Sequence, residues 1–325
     1  MSTVLIPQFV HEPGPSLARE AGDVIYWNDD RPPPRDELMA AIATTDALIC
    51  QSNCRVDAEL LDRAPLLRVI ANVAAGYDNI DVAAATERGI AVCNTPVPAL
   101  HESTADLAFT LLLSVARRVG EAERYIRDGK WTFWSPQLLV GSDIYGRTLG
   151  IVGLGRIGQA VARRARGFGM SIVYSGRTRR LEAEEALGAS YLSFEELLRV
   201  SDFVTIHVPS TAETRHLIGA RQLDQMKPGA FLINASRGAI VDQGALYHAL
   251  VSGQIAGAGL DVFDPEPVPA SEPLLGLENV VAVPHIGGAS LPTRERMAEM
   301  AARNVIAVLA GDTPPSCVNS SVLTK

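Results

Sequence analysis

Short runs of Val, Ile, Leu and Ala alternate with polar stretches of helical spacing through the first hundred residues. The runs are TVLIPQFV, DVIYW, ALICQ, LRVIANVA and GIAVCNT, separated by segments such as DAELLDRAP. A strand buried on both faces reads as a continuous apolar run, so the pattern predicts a parallel sheet covered by helices on both sides. STADLAFTLLLSVARRVGEAERYIRDG follows, apolar through its middle and charged toward its end. It predicts a buried helix running between domains, opened by the capping residues Ser103 and Thr104. GKWTFWSPQLLVGSDIYGRT keeps neither period and predicts a long loop.

From Thr148 the alternation restarts with greater regularity, in the runs TLGIVG, SIVYSG, FVTIHV, AFLINA, IAGAGLDV and VVAVPHIGG. Strands alternating with helical stretches predict a second doubly wound α/β domain. A last helix, TRERMAEMAARNVIAVLAG, stops at Gly311, because the Thr-Pro-Pro beyond it cannot continue a helix. There is no internal repeat and no low-complexity tract.

TLGIVGLGRIGQAVARRARGFG sets Gly153, Gly155 and Gly158 as G-x-G-x-x-G directly after an apolar strand and at the opening of an amphipathic helix. Gly153 permits the tight turn, Gly155 lets backbone amides approach a pyrophosphate, and Gly158 allows close helix–strand packing. Ile157, Val161, Ala165 and Phe168 mark the helix face turned to the sheet. A ribose 2′-OH is usually held by an Asp or Glu roughly 20 residues beyond such a turn. Here the chain instead reads Tyr174-Ser175-Gly176-Arg177-Thr178-Arg179-Arg180. Hydroxyls and guanidinium groups in place of a carboxylate suit a 2′-phosphate, which predicts NADPH over NADH, with NAD possible. Arg179 and Arg180 also fit a solvated helix start.

Composition narrows the possibilities. At 325 residues the chain suits two packed cores, at ~150 residues each, and hence a cleft. A net charge of −8 disfavours nucleic-acid binding through a basic face, so any anion must be captured locally. The opening MSTVLIPQFVHEPGPS lacks a basic n-region and is interrupted by Pro7, predicting a first strand and not a signal peptide. With no apolar run of about 18 residues, a soluble cytoplasmic protein without a membrane span is expected. The four cysteines, Cys50, Cys54, Cys93 and Cys317, offer only one C-x3-C pair, which fits buried thiols in a reducing compartment and not a metal site.

Three further segments carry chemistry: INASRGAIVD with Arg237, GAGLDVFDPEP with Asp261 and Glu266, and AVPHIGG with His285. Together with the glycine turn, and in this order, they resemble the D-isomer-specific 2-hydroxyacid dehydrogenase family. The likeness runs from ANVAAGYDNIDV to Val318-Asn319, and the WSPQLLVGSDIYGRT stretch with the arginine-bearing second strand resembles the family's glyoxylate/hydroxypyruvate reductases. The resemblance implies a Rossmann cofactor domain, residues 101–288, inserted in a flavodoxin-like substrate domain, residues 1–100 plus 289–325. Reducing a 2-keto acid requires a proton for the carbonyl oxygen, and His285 fits the general acid, with Glu266 orienting and charging it. Arg237 suits the substrate carboxylate and the carbonyl at once, because its planar fork offers several donors.

The resemblance also implies substrate contacts at Ala75, Gly76 and Leu100, with Trp134 reaching from a neighbouring subunit, although Leu100 and Trp134 fit plain packing equally well. For the cofactor it implies Thr104, Arg156, Ile157, His207, Val208, Pro209, Ala235, Arg237, Asp261, His285 and Gly287, besides the three glycines, Ser175, Arg177, Thr178 and Arg179. His207 thus becomes a cofactor-wall residue and not the acid. The family often carries a serine where this chain has Gly288 after His285-Ile286-Gly287. A homodimer is expected from the long apolar helix and the tryptophan loop. The same pattern admits 3-phosphoglycerate, 2-ketogluconate and formate dehydrogenases, and outside enzymes a dinucleotide-sensing, corepressor-like protein. Glu266 counts against formate, the lack of a regulatory C-terminal domain counts against 3-phosphoglycerate, and 2-ketogluconate stays open.

Overall fold

The computed structural model describes residues 2–324, which fall into two compact units: the chain up to Leu100 together with the chain from Ala289 onward, and His101–Gly288. The first unit holds strands β1 (Ser2–Ile6), β2 (Gly22–Tyr26), β3 (Ala47–Cys50), β4 (Val69–Asn72) and β5 (Ala91–Cys93). They pair in parallel in the order β2-β1-β3-β4-β5, the flavodoxin-like winding. Every residue of β3, β4 and β5 is buried, which is why these segments read as unbroken apolar runs. The helix Leu291–Ala310 returns to this sheet and packs Met297, Ala298, Ala301, Ala302 and Val305 into its core, ending at Gly311 in the left-handed conformation. Asn319 closes the unit: its side-chain oxygen accepts from Val92 N at 2.7 Å and its amide donates to Ile90 O at 2.9 Å.

The second unit contains β6 (Thr148–Val152), β7 (Ser171–Ser175), β8 (Ala189–Tyr191), β9 (Phe203–Ile206), β10 (Ala230–Asn234), β11 (Ile255–Leu260) and β12 (Val280–Ala282). All pair in parallel, in the order β12-β11-β10-β9-β6-β7-β8. The winding reverses between β6 and β9, and ligands of such sheets bind outside the carboxyl ends of the strands at that reversal. The apolar pattern missed β8, whose Ser190 and Tyr191 are exposed at the sheet edge.

Three local expectations are corrected. The long helix begins at Pro98, not at a Ser103-Thr104 cap, because proline is well suited to a first turn and the following Ala-Leu-His-Glu continues it. Ser103 instead donates its hydroxyl to Gly287 O at 2.9 Å, and Thr104 is buried. The helix also breaks: it ends at Ala116, Arg118 takes a left-handed φ of 53°, and a separate helix runs Val119–Arg127. Phe168, predicted on an inner helix face, caps the helix Arg156–Gly167 and is 42% exposed, resting against Phe109. Among the described residues, no helix is long and apolar enough to cross a membrane.

Candidate active site

Every chemistry-bearing motif of the second unit follows the C-terminal end of a parallel strand. After β6, Gly153 adopts φ 97°, and a Cβ there would lie 2.8 Å from His207 O. A Cβ on Gly158 would fall 2.3 Å from Gly153 O, so helix and turn touch backbone to backbone. Around Gly155 a Cβ would meet nothing within 4 Å. This open cap precedes the 12-residue helix Arg156–Gly167, with Arg156 exposed and Ile157 half-buried in its first turn. Unpaired first-turn amides and the positive end of the helix dipole suit a pyrophosphate.

After β7, the buried Ser175 accepts from Gly153 N at 2.8 Å through its carbonyl, tying the next loop to the glycine turn. Arg177 and Thr178 are exposed. Arg179 makes a contact the sequence did not indicate: its Nε and Nη2 donate to the two carboxylate oxygens of Glu184, both at 2.8 Å. Nothing in the chain marked Glu184, which resembles its neighbours in the acidic helix Leu181–Leu187. After β9, His207 shares a 2.9 Å hydrogen bond with the Thr205 hydroxyl, and desolvation depresses its imidazole pKa to about 4. A histidine neutral at physiological pH is poorly suited to donate a proton there. The Val208 carbonyl, just before Pro209, accepts from the Ser236 hydroxyl.

After β10 come the buried Ala235 and then Ser236 and Arg237. Asn234 braces this turn, accepting from Ser236 N at 3.1 Å and donating to Arg237 O at 2.9 Å. Arg237 is half-buried, with Nη1 donating to Ser236 O at 2.8 Å. After β11, Asp261 is 1% exposed, and its carboxylate accepts from Ile286 N at 2.6 Å and Gly287 N at 2.9 Å while its carbonyl accepts from His285 N at 2.8 Å. Burial raises its pKa despite the two amides. Sequence reasoning assigned Asp261 to the cofactor and missed this clamp on the histidine loop. Gly287 belongs to it, since a Cβ would come within 3.0 Å of Asp261 Oδ2.

His285 follows β12 in a left-handed conformation, φ 53°, and its Nδ1 lies 2.7 Å from Glu266 Oε2. Glu266 Oε1 accepts from Phe263 N at 2.9 Å. Burial pushes the Glu266 carboxyl upward, but the bonds from His285 and from the Phe263 amide, with the Arg237 charge, outweigh it and hold the group below its ordinary range. The carboxylate is therefore ionised at neutral pH and can accept an N–H hydrogen bond from the ring it faces. The structure thus gathers Arg237, Asp261, Glu266 and His285 at three neighbouring strand ends. Of the other candidates, Ala75 and Gly76 lie in the first unit after β4, their carbonyls accepting from Asn94 and Asn72 at 2.7 and 2.8 Å. Leu100 is buried in that unit's core, and Trp134 is 77% exposed. Among the described residues no group of three or more His, Cys, Asp or Glu could hold a metal.

A glycine turn at the switch point of a doubly wound sheet, with an ionised carboxylate–histidine pair at the far strand ends, defines a nicotinamide-dinucleotide oxidoreductase. Residues 109–287 match the family model "D-isomer specific 2-hydroxyacid dehydrogenase, NAD binding domain". Over 98% of its length the chain is 53% identical to a glyoxylate reductase of Korarchaeum cryptofilum, covering 96% of that protein. It is 51% identical to a glyoxylate reductase of Thermococcus litoralis, covering 99% of this chain and 98% of that one. Among solved structures, the TT0316 protein of Thermus thermophilus is 48% identical with a TM-score of 0.91, over 97% of this chain and 99% of that one. The chain belongs to the D-isomer specific 2-hydroxyacid dehydrogenase family and is an NAD(P)-dependent oxidoreductase.

Proposed function

We propose that this protein reduces a small 2-keto acid, glyoxylate or hydroxypyruvate, to the D-2-hydroxy acid, with NADPH preferred and NADH accepted. The observation that carries the reading is the 2.7 Å pair of His285 Nδ1 and Glu266 Oε2, set on strand ends of the sheet that holds the glycine turn. The substrate class is supported by relatives named glyoxylate reductase at 48–53% identity. An NADPH-dependent glyoxylate/hydroxypyruvate reductase of Sinorhizobium meliloti, solved with NADP and malonate, is 34% identical with a TM-score of 0.82.

The residues present fit a dinucleotide: the space at Gly155 and the close approach at Gly158 form a cradle that side chains would fill. When bound, the reduced nicotinamide supplies hydride to the keto carbon. Gly153, Gly155, Arg156, Ile157 and Gly158 hold the pyrophosphate. Ser175, Arg177 and Thr178 take the 2′-phosphate, and His207, Val208 and Pro209 line the adenosine side. Thr104, Ala235, Asp261 and Gly287 border the nicotinamide. Arg237 grips the substrate carboxylate and polarises the carbonyl. With Nδ1 engaged by Glu266, His285 passes a proton from Nε2 to the carbonyl oxygen, so both protonation partners stay coupled.

We further propose a cytoplasmic homodimer. The helix Val119–Arg127 buries no residue, and Ile126, Trp131, Phe133, Trp134, Val140 and Tyr145 are each more than half exposed. So contiguous an apolar segment suits a second copy. The activity is tested by following NADPH and NADH oxidation with glyoxylate, hydroxypyruvate, pyruvate and 2-ketogluconate. Glyoxylate or hydroxypyruvate with NADPH should give the highest kcat/KM, and a best rate with 2-ketogluconate would reject the substrate assignment.

A further inference from the structure

The loop between β7 and the helix Leu181–Leu187 offers three arginines, Arg177, Arg179 and Arg180, but the structure does not leave them equivalent. Glu184 takes both donors of the Arg179 fork, a bidentate geometry that fixes the guanidinium in direction as well as charge. The same carboxylate accepts from the Tyr174 hydroxyl at 2.6 Å. Tyr174 is fully buried in β7, so Glu184 is anchored to the sheet and not to a mobile surface group. The bracket extends further. Arg180 N donates to the Tyr174 hydroxyl at 2.7 Å, and the Tyr191 hydroxyl donates to Gly176 O at 3.2 Å. The rings of Tyr174 and Tyr191 meet edge to face at 5.3 Å.

We infer that Glu184 is a specificity-determining positioning residue for the cofactor: by engaging Arg179 it withholds that guanidinium from the 2′-phosphate, leaves Arg177 as the principal reader, and limits discrimination between NADPH and NADH. The inference rests on the 2′-phosphate reading proposed above. Arg179 and Glu184 together carry no net charge, so the pair adds little field for a dianion, and a bound phosphate has to compete with a preformed partner. Glu184 does not release Arg179 by titration near neutrality, because the Arg179 pairing and the Tyr174 hydroxyl hold its carboxyl at about 2.

The test measures dissociation constants of NADPH and NADH on the intact protein by quenching of its intrinsic fluorescence, in four variants. Arg177→Ala should weaken NADPH by about tenfold and NADH by less than about twofold, as loss of a charge-assisted phosphate contact predicts. Arg179→Ala should change the NADPH/NADH ratio by less than about twofold, because its fork is already occupied. Glu184→Gln should raise the preference for NADPH by about three- to tenfold, and adding Arg179→Ala to it should erase the gain, since the freed guanidinium is its source. If Arg179→Ala costs NADPH as much as Arg177→Ala, the role given to Glu184 is overturned while the 2′-phosphate reading stands. If Glu184→Gln weakens both nucleotides equally, Glu184 serves packing and the inference falls. If Arg177→Ala leaves the ratio unchanged, the 2′-phosphate reading itself falls and takes the inference with it.

Discussion

Replacing Glu266 by glutamine removes a charge while keeping the side-chain shape and an acceptor for Phe263 N. The charge faces His285 Nδ1 at 2.7 Å, with 35% of the glutamate side chain and 40% of the histidine side chain exposed. Two unit charges ~4 Å apart attract by about 4 kcal/mol at an effective dielectric of ~20 and by about 1 kcal/mol in water. With more than a third of each group in solvent, screening puts this pair near the lower figure, at ~1 to 2 kcal/mol. At about 1.4 kcal/mol per factor of ten, the variant's keto-acid reduction should be roughly tenfold slower wherever Glu266 is ionised in the parent protein. The sign follows from the direction of the Glu266 shift. A carboxyl held below its ordinary range stabilises the fold above the unfolded carboxylate value and loses that contribution as pH falls through the lowered one, so the ionised carboxylate is present across neutrality. The assay is kcat/KM for glyoxylate with saturating NADPH from about pH 3 to about 9, spanning the carboxylate range. At about pH 8 the variant should be roughly tenfold slower, and the gap should narrow only as pH falls below the ordinary carboxylate range. NADPH affinity should be unchanged. A drop that persists undiminished below the ordinary carboxylate range would show that Glu266 only orients the ring and would refute the electrostatic argument.

His285→Ala should lower turnover by about 10²-fold or more while NADPH still quenches protein fluorescence with its normal affinity, and normal turnover would unseat it as the acid. Gly158→Ala drives a methyl group to 2.3 Å from Gly153 O, a backbone atom with little room to yield. It should cost ~1 to 3 kcal/mol in denaturant unfolding and weaken both nucleotides together, since the turn is proposed to hold the pyrophosphate they share. Ile126→Glu buries a charge in the proposed dimer face, and sedimentation should then find a monomer; an unaltered dimer would move the interface elsewhere.

Both sheets were legible because their inner strands are buried on two faces and so write themselves as apolar runs, while the edge strand β2, with no buried residue, still carries Val24-Ile25-Tyr26. β8 was not, since two of its three residues are exposed and a short edge strand takes its place from pairing with β7 alone. The start of the helix Pro98–Ala116 was missed for a related reason: Ser103 and Thr104 look like caps, but the hydroxyl of Ser103 serves Gly287, far along the chain. The glycine turn, Arg237, Glu266 and His285 stood out because each follows an apolar strand within a local motif. The clamp of Asp261 on Ile286 N and Gly287 N, and that of Glu184 on Arg179, did not. Each depends on a side chain or amide delivered by another element, and spacing along the chain carries no trace of either.

The helix Leu291–Ala310 and Asn319 complete a core whose strands were laid down at the other end of the chain. A ribosome releases β1 to β5 first, yet that unit lacks its covering helix until the last residues emerge. The inserted unit, contiguous from His101 to Gly288, has all its strands in hand earlier. Domains tend to fold as units during synthesis, so the dinucleotide-binding half should reach its native state while the opening half still waits, with apolar strand faces exposed, for its closing helix. Nascent-chain proteolysis should find the middle of the protein resistant before its beginning.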